Sequence, residues 1–280
     1  LLTDLKWARD NGLKLDTLFN CNCYGDKAIS SELADFADKV LAEMDKEGLY
    51  PDIVTTTSPF LATMFRRNHP NIKLRLSVNM RVHGTAGFEP IMELFDSFYA
   101  SREHHRDLNW LSNLSSWAKA NGKIVGMQAN SGCLRQCAFQ QFHDNMHGHN
   151  RIAQSAEGEK MDFSVFLCKT NYERGNYEDF LRSTWIRPED LPRYEEYVDI
   201  VKLATRRHPY PEKIVKAYAT YDYDGDLADL MDACHKFPKS FDNKSFDDNK
   251  SLWESVRSCQ KANDCIHCGK CPELMSKVFA

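Results

Sequence analysis

The chain carries a group of closely spaced cysteines near its C-terminus. They are spaced Cys259-x5-Cys265-x2-Cys268-x2-Cys271, and Pro272 follows the last one directly. This spacing suits a cubane iron–sulfur cluster, because each thiolate must reach a different iron corner while the chain wraps tightly around the cluster. Zinc also accepts four thiolates. The spacing therefore predicts a 4Fe-4S cluster here, with zinc as the alternative.

A second group of cysteines lies in the middle of the chain. Cys133 and Cys137 form a C-x3-C pair directly after a predicted strand, and Cys168 follows one segment later. In a barrel, strand ends that are far apart in sequence lie side by side at one face. Cys168, together with Cys23 or Cys21, is thus a candidate to complete a set of four ligands. Ordinary buried cysteines are the competing interpretation.

Charged side chains near predicted strand ends could bind or activate a substrate. Arg106 and Arg187 could clamp a carboxylate or phosphate through two parallel hydrogen bonds, and Asp107 could act as a general acid or base. His143 and His147 have the spacing that puts both rings on one helix face, where they could bind a metal or an anion. We take Arg106, Asp107, His143 and Arg187 as candidate catalytic residues. Salt bridges and structural hydrogen bonds are the alternative roles.

The elements that would position these residues alternate between short β-like runs and helical segments. This alternation predicts parallel strands joined by crossover helices, including helices at Ser31–Glu47 and Leu108–Asn121. Seven strands are predicted, and they are Leu15–Asn20, Asp52–Thr57, Lys73–Val78, Leu94–Ala100, Lys123–Gln128, Ser183–Arg187 and Val198–Ala204.

Seven strands are one fewer than a closed barrel needs. The sequence opens at Leu1 inside a predicted helix, so we expect a further strand before it. The predicted fold is α/β, a TIM-type (β/α)8 barrel that lacks its first strand in this chain and carries a C-terminal cysteine-rich extension. An open doubly wound sheet is the alternative, but no Gly-rich phosphate loop follows an early strand.

Three regions are predicted along the chain. Residues 1–219 form the barrel, residues 220–251 a helix and a polar linker, and residues 252–280 the cysteine-rich iron–sulfur tail. The linker contains a near-repeat of Ser-Phe-Asp between Lys239 and Lys250, which we expect to be exposed.

Composition narrows the class of protein. The 280 residues are 42% hydrophobic and 27% charged, which is enough for a large packed core. The net charge of −4 and the scattered Lys and Arg give no basic surface for DNA and no membrane anchor. No apolar run is long enough to span a bilayer, and the ten cysteines have ligand-like spacings. We expect a cytoplasmic protein in a reducing compartment.

Four segments of the sequence resemble the collagenase-like U-thirty-two peptidase family, over a range from about Leu15 to Ala219. The family patterns are Asn-Arg-Asp, then Leu-x-x-Asn-x-Gly-Cys-x-x-x-Cys-Pro-x-x-x-x-His, then Ile-Arg-Pro-Glu-Asp-Leu, and finally Lys-x-x-x-Arg. Ala138 stands where the family often has Pro. In this chain the matching segments are His105 to Asp107, Met127 to His143, Ile186 to Leu191 and Lys202 to Arg206.

The resemblance implies a TIM-like barrel and, by analogy with iron–sulfur relatives, a 4Fe-4S cluster held by four cysteines. Carried over by position, the ligands are Cys23, Cys133, Cys137 and Cys168, with Cys21 as a substitute for Cys23. Some relatives take part in oxygen-independent hydroxylation of ubiquinone precursors or RNA bases. Neither a Gly-x-Ser-x-Gly elbow nor a His-Glu-x-x-His zinc motif is present, so the sequence adds no independent support for proteolysis.

Three hypotheses about function follow. The first is an iron–sulfur enzyme for anaerobic redox chemistry or hydroxylation of a small molecule or RNA base, with one or two clusters and a redox partner protein. The second is a peptidase or peptide-processing protein that uses zinc. The third is a partner subunit without catalytic activity, whose cysteine tail docks on another iron–sulfur protein.

Overall fold

The computed structural model describes residues 2–149, 167–206, 208–232, 236–259 and 265–279. The chain divides into two compact units. Unit 1 comprises Leu1–Tyr99, Asn121–Ile124 and Gln141–Asp162, and unit 2 comprises Ala100–Ala120, Val125–Gln140 and Phe163–Ala280.

Unit 1 is built on four parallel strands that follow one another in chain order. Each strand pairs in parallel with the next, and helices lie in the connections between them. The strands are β1 (Asp16–Phe19), β2 (Ile53–Thr56), β3 (Lys73–Leu76) and β4 (Ser97–Tyr99). The helices are α1 (Leu2–Asp10), α2 (Ser31–Lys46), α3 (Pro59–Asn68), α4 (Thr85–Phe88) and α6 (Gln140–Gly148), the last of which enters this unit at residue 141.

The two long helices of unit 1 begin at the caps that their sequences indicate. Ser30 and Ser58 each accept a hydrogen bond from the backbone N–H three residues later, which satisfies one of the exposed donors of the first turn. The buried face of α2 carries Leu33, Ala37 and Leu41, spaced four residues apart, as expected for one stripe of an amphipathic helix.

A row of polar side chains crosses one face of the unit 1 sheet. Thr55, Arg75 and Ser97 are register partners on successive strands, and all three are buried. Asp16 Oδ2 accepts hydrogen bonds from Thr55 Oγ1 and Arg75 Nη1, both at 2.8 Å, and Arg75 Nε donates to Ser97 Oγ at 3.1 Å. Every charge in this row therefore has a buried partner, as a low-dielectric interior requires.

Unit 2 contains one further parallel strand pair and most of the remaining helices. Gly126, Met127 and Gln128 of β5 (Ile124–Gln128) pair with β6 (Ile200–Lys202). The helices are α5 (Leu108–Ala120), α7 (Leu167–Glu173), α8 (Pro211–Thr220), α9 (Ser245–Asp248), α10 (Lys250–Arg257), α11 (Cys265–Cys268) and α12 (Lys270–Val278).

The near-repeat between Lys239 and Lys250 is part of the core of unit 2, contrary to the exposed linker that we expect from its polarity. Phe241 and Phe246, one from each copy, are fully buried. Phe241 packs 4.4 Å from Phe180, and Phe246 packs 5.0 Å from Trp253, measured between ring centroids. Each copy supplies one aromatic anchor, and burial of such a side chain outweighs the polarity of its neighbours.

The strand predicted at Ser183–Arg187 is wrong. The segment makes isolated backbone hydrogen bonds, from Thr184 N to the Cys133 carbonyl at 3.0 Å and from Ile186 N to the Ala129 carbonyl at 2.8 Å, without forming a continuous ladder. Its apolar pattern reflects burial of Trp185 and Ile186 in an irregular segment. Periodicity alone does not separate such a segment from a strand.

The other six predicted strands are observed, and each is shorter than predicted. β3 begins and β5 ends at the predicted residue. The α/β class is confirmed, and parallel strands in chain order correspond to part of a TIM-type barrel. The predicted boundaries at residues 219 and 251 stay predictions. None of the described helices combines the length and apolar character that crossing a bilayer requires.

Candidate functional site

The loops that follow the strands of unit 1 meet at one edge of the sheet, as the barrel prediction requires. Asn22 Nδ2 donates to the Asn79 carbonyl at 3.3 Å, which joins the loops after β1 and β3. Thr57 Oγ1, directly after β2, donates to the Cys21 carbonyl. Cys21 and Cys23 are therefore held in a loop that neighbouring strand ends brace.

The end of α6 packs against this cysteine loop. A Cβ atom on Gly148 would lie 2.7 Å from Cys21 Sγ and 3.0 Å from the Cys23 carbonyl oxygen, so only glycine fits here. His143 is half-buried on the same helix, next to Asp144, which forms an ion pair with Arg81. The side chain of His147 lies outside the described part of the chain.

Unit 2 brings together three of the four cysteines that the resemblance assigns to a cluster. Burial, together with the nearby Cys133 and Cys137, raises the pKa of the Cys168 thiol to about 11. Thiols influence one another in this way only when they are close in a poorly solvated site. The Arg102 guanidinium donates a hydrogen bond to Cys133 Sγ at 3.5 Å, so a buried cation faces this group.

Backbone and side-chain contacts fix the loop that carries Cys133 and Cys137. Asn130 donates to the Ala204 and Leu230 carbonyls at 2.8 and 3.1 Å and accepts from Ala204 N at 2.7 Å. Gln136 adopts φ +56°, and its N–H donates to Glu103 Oε2 at 2.5 Å. The Asn-Ser-Gly-Cys run that ends at Cys133 thus has a positioning role that spacing alone does not reveal.

The charged residues that we take as candidate catalytic groups have structural partners in unit 2. Arg106 donates to the Leu181 carbonyl at 2.7 Å and to the Trp185 carbonyl at 3.0 Å, and its guanidinium lies 4.8 Å from the Trp185 ring. Asp107 accepts from Trp110 N at 2.9 Å and caps α5. A catalytic role for either residue stays a prediction.

Arg187 is fully buried and bound to residues of the near-repeat. Its Nε donates to Asn243 Oδ1 at 2.9 Å, and Nη2 contacts Asp247 Oδ1 at 3.2 Å. Glu189 Oε2 lies 3.4 Å from Nε. Asn243, Asp247 and Glu189 thus occupy the hydrogen-bonding positions of this guanidinium. The observed contacts support a role for Arg187 in holding the near-repeat in place.

The four tail cysteines line one cavity of unit 2. The cavity is narrow, with a volume of about 20 Å³, and its wall also includes Arg182, Val256 and Pro272. Arg182 and Cys271 both line this cavity, and Arg182 forms an ion pair with Asp179. Burial raises the pKa of the Cys271 thiol, whereas Arg182 and Arg106 oppose that rise. The tail cysteines that surround this cavity are Cys259, Cys265, Cys268 and Cys271.

Two arginines of this region are functional candidates that the sequence motifs do not identify. Arg135 lies between Cys133 and Cys137, and both of its Nη atoms donate to the Cys259 carbonyl at 2.7 Å. Arg182 lines the same cavity as Cys271 although the two are far apart in sequence. The position of Arg135 inside the C-x3-C pair is a usable signal, but nothing local marks Arg182.

None of the nine described cysteines is in a disulfide bond. Within the described ranges, no three His, Cys, Asp or Glu side chains are arranged to hold a single metal ion. The two cysteine groups of unit 2 are instead sets of thiols beside guanidinium groups. Cys23, the fourth ligand that the resemblance implies, belongs to unit 1.

Comparison with known proteins gives two matches, while no family profile matches the chain. Over 284 residues, covering 100% of this chain and 81% of the relative, the chain is 23% identical to the uncharacterized protease MJ1657 of Methanocaldococcus jannaschii. The solved structure of the U32 peptidase Mk0906 matches with a TM-score of 0.52 and 17% identity, covering 73% of this chain and 74% of that one. Together, the two matches confirm the resemblance to the U-thirty-two peptidase family that the sequence motifs indicate.

Proposed function

We propose that the chain is an iron–sulfur oxidoreductase on a barrel of the U-thirty-two peptidase type. The observation that carries the proposal is the grouping of Cys133, Cys137 and Cys168 in unit 2, with the Arg102 guanidinium on Cys133. Soft thiolate ligands select iron–sulfur clusters, zinc or copper(I), and a buried cation offsets the negative charge that thiolates and a cluster carry.

The ligand chemistry of Cys133, Cys137 and Cys168 suits a 4Fe-4S cluster, because soft thiolates are the ligands that such a cluster takes. On this proposal the three cysteines of unit 2 would hold it. When bound, the cluster would supply one-electron transfer. Arg102 would keep its hydrogen bond to the Cys133 sulfur, which places a positive charge beside the negative cluster.

The chain's other contacts in unit 2 would keep this site in one geometry. The Thr184 N–H bonds the Cys133 carbonyl, and Asn130 bonds three backbone groups around the loop. Ligand sets held by backbone contacts of this kind lose little entropy on binding. Two further parts of the proposal come from the resemblance. One is the substrate class, a small molecule or an RNA base that is hydroxylated without oxygen, and the other is a redox partner protein.

The test compares the wild-type chain with Cys133→Ser/Cys137→Ser, both purified without oxygen. We expect iron and acid-labile sulfide in equal amounts in the wild type, and loss of about four of each per chain in the variant. Equal iron and sulfide in wild type and the double variant would refute the proposal.

A peptidase is the second candidate function, because both similar proteins are named as a protease or a peptidase. This reading predicts zinc near stoichiometry without sulfide, and hydrolysis of peptides that depends on the region of His143. Peptide hydrolysis by zinc-loaded wild type, lost in His143→Ala at unchanged zinc content, would favour this function over the first. Hydrolysis at the same rate in both proteins would count against it.

A further inference from the structure

The tail cysteines form a separate thiol site within unit 2. Cys265 and Cys268 lie three residues apart on α11, which places them on one face of a single helical turn. Gly269 follows with φ +64°, a conformation that favours glycine, and turns the chain into α12. Cys271 lies in the first turn of α12. The backbone therefore directs these three cysteines toward the same cavity.

The composition of the cavity wall indicates the class of ligand. Four of its ten residues are cysteines, and none is an Asp, a Glu or a His. Hard cations such as Mg²⁺ and Ca²⁺ require oxygen ligands, so they do not suit this wall. A thiolate-only set selects soft metals, and iron–sulfur clusters above all when the cysteines are closely spaced.

Guanidinium groups surround the sulfur atoms of this site. Arg182, which also pairs with Asp179, lines the same cavity as Cys271. The fully buried Arg106 lies within electrostatic range of the Cys271 sulfur. Arg135 fixes the backbone of Cys259 through two hydrogen bonds to its carbonyl. A cluster with four thiolate ligands is negative, and its negative charge increases on reduction, so cations beside it favour the reduced form.

We propose that Cys259, Cys265, Cys268 and Cys271 bind a second, redox-active 4Fe-4S cluster, and that Arg182 is a positioning residue that raises its reduction potential. Binding at this site does not depend on the cluster proposed at Cys133, Cys137 and Cys168. The two sites share unit 2, and Arg135 bonds one while lying between two ligands of the other.

The first experiment removes two ligands from the full chain by Cys265→Ser/Cys268→Ser under anaerobic conditions. We expect the variant to lose about four irons and four sulfides per chain relative to wild type, together with one of two electron paramagnetic resonance signals of the dithionite-reduced protein. Unchanged iron and sulfide, or loss of zinc alone, would overturn the proposal.

A second variant keeps all the ligands and so avoids the risk that the ligand variant does not fold. Arg182→Gln should retain the iron and sulfide of wild type, while the midpoint potential of one cluster signal shifts to a more negative value. Arg67→Gln, which removes an exposed arginine of unit 1, is the matched control and should leave both potentials unchanged. If Arg182→Gln also leaves both potentials unchanged, Arg182 has no role in tuning the site.

The two proposals fail in different ways. If only the tail cluster exists, wild type contains a single cluster, and Cys133→Ser/Cys137→Ser retains it. If only the cluster at Cys133 and Cys137 exists, Cys265→Ser/Cys268→Ser retains the full iron content. Each double variant thus reports on one site alone.

Discussion

At His105 the chain departs from the Asn-Arg-Asp pattern of the family that it resembles. Its ring is fully buried, and Nε2 lies 3.3 Å from the Ala100 carbonyl. Burial lowers the pKa of His105 to about 3, so the imidazole is neutral in the folded protein at physiological pH. The unfolded chain binds a proton at this residue more readily than the folded one does.

The first prediction concerns the acid sensitivity that His105 confers. Between about pH 6.5 and pH 3 the unfolded state binds more protons at this site, so stability falls as the pH is lowered through that window. In His105→Asn this contribution disappears. Urea unfolding midpoints at pH 7 and pH 5 should therefore differ less in His105→Asn than in wild type, whereas His83→Asn, an exposed control, should behave as wild type does. An equal pH dependence in all three proteins would contradict the buried neutral imidazole.

Asp107 gives a prediction that separates a structural role from a catalytic one. As the cap of α5, it should lose about 1 kcal/mol of unfolding free energy on replacement by Ala and only a few tenths on replacement by Asn, which caps helices equally well. A general acid or base would lose activity in both variants. Denaturant unfolding of Asp107→Ala and Asp107→Asn makes the distinction, and equal destabilisation by the two would rule out the cap.

At the scale of elements, the near-repeat and the segment after Ser183 stabilise each other. Arg187 bonds Asn243 and Asp247, and its guanidinium lies 5.2 Å from the Phe246 ring. Trp185, two residues earlier, stacks 5.4 Å from Trp253 of α10. These contacts join α9 and α10 to the irregular segment that carries the Ile-Arg-Pro-Glu-Asp-Leu motif.

The corresponding prediction is that Arg187→Ala costs about 2–3 kcal/mol of unfolding free energy, because it leaves the buried Asn243 amide and the half-buried Glu189 carboxylate without their partner. Arg193→Ala is the control, since Arg193 forms a partly exposed ion pair with Glu254 and should cost at most about 1 kcal/mol. Guanidinium-induced unfolding of both variants gives the two values. Equally small losses of unfolding free energy in both variants would show that the buried network contributes little. Arg187 would then be a candidate for binding substrate.

How much of this arrangement the sequence predicts differs between elements. The six strands and the helices α2 and α5 follow from local periodicity and caps, and their observed bounds lie within about three residues of the predicted ones. Ser183–Arg187 was not predictable in this way, because its conformation depends on Cys133, Ala129 and Arg106. The burial of Phe241 and Phe246 depends likewise on aromatic partners remote in sequence.

The candidate site shows the same limit. Spacing identifies Cys133 and Cys137 and the tail cysteines, because cluster ligands must be close along the chain. Cys168 and Cys23 depend on the barrel topology and the resemblance. Arg182 and its place in the same cavity as Cys271 come only from the tertiary structure, since no local pattern pairs an arginine with a thiol so far along the chain.

At the scale of the whole molecule, the chain combines parallel strands that follow one another in chain order with two cysteine groups. The match to the solved peptidase structure covers 73% of the chain and shows the fold. Fold alone does not determine chemistry, and it is the sites that carry function. We propose that the two thiol groups, each beside buried or half-buried arginines, serve electron transfer and not hydrolysis.

Iron and acid-labile sulfide analysis of the anaerobically purified full chain, combined with electron paramagnetic resonance after dithionite reduction, tests this central claim most directly. We predict about eight irons and eight sulfides per chain, with signals from two reduced 4Fe-4S clusters. Zinc in place of iron, without sulfide and without a paramagnetic signal, would contradict the account and leave a structural or hydrolytic metal site as the function of these cysteines.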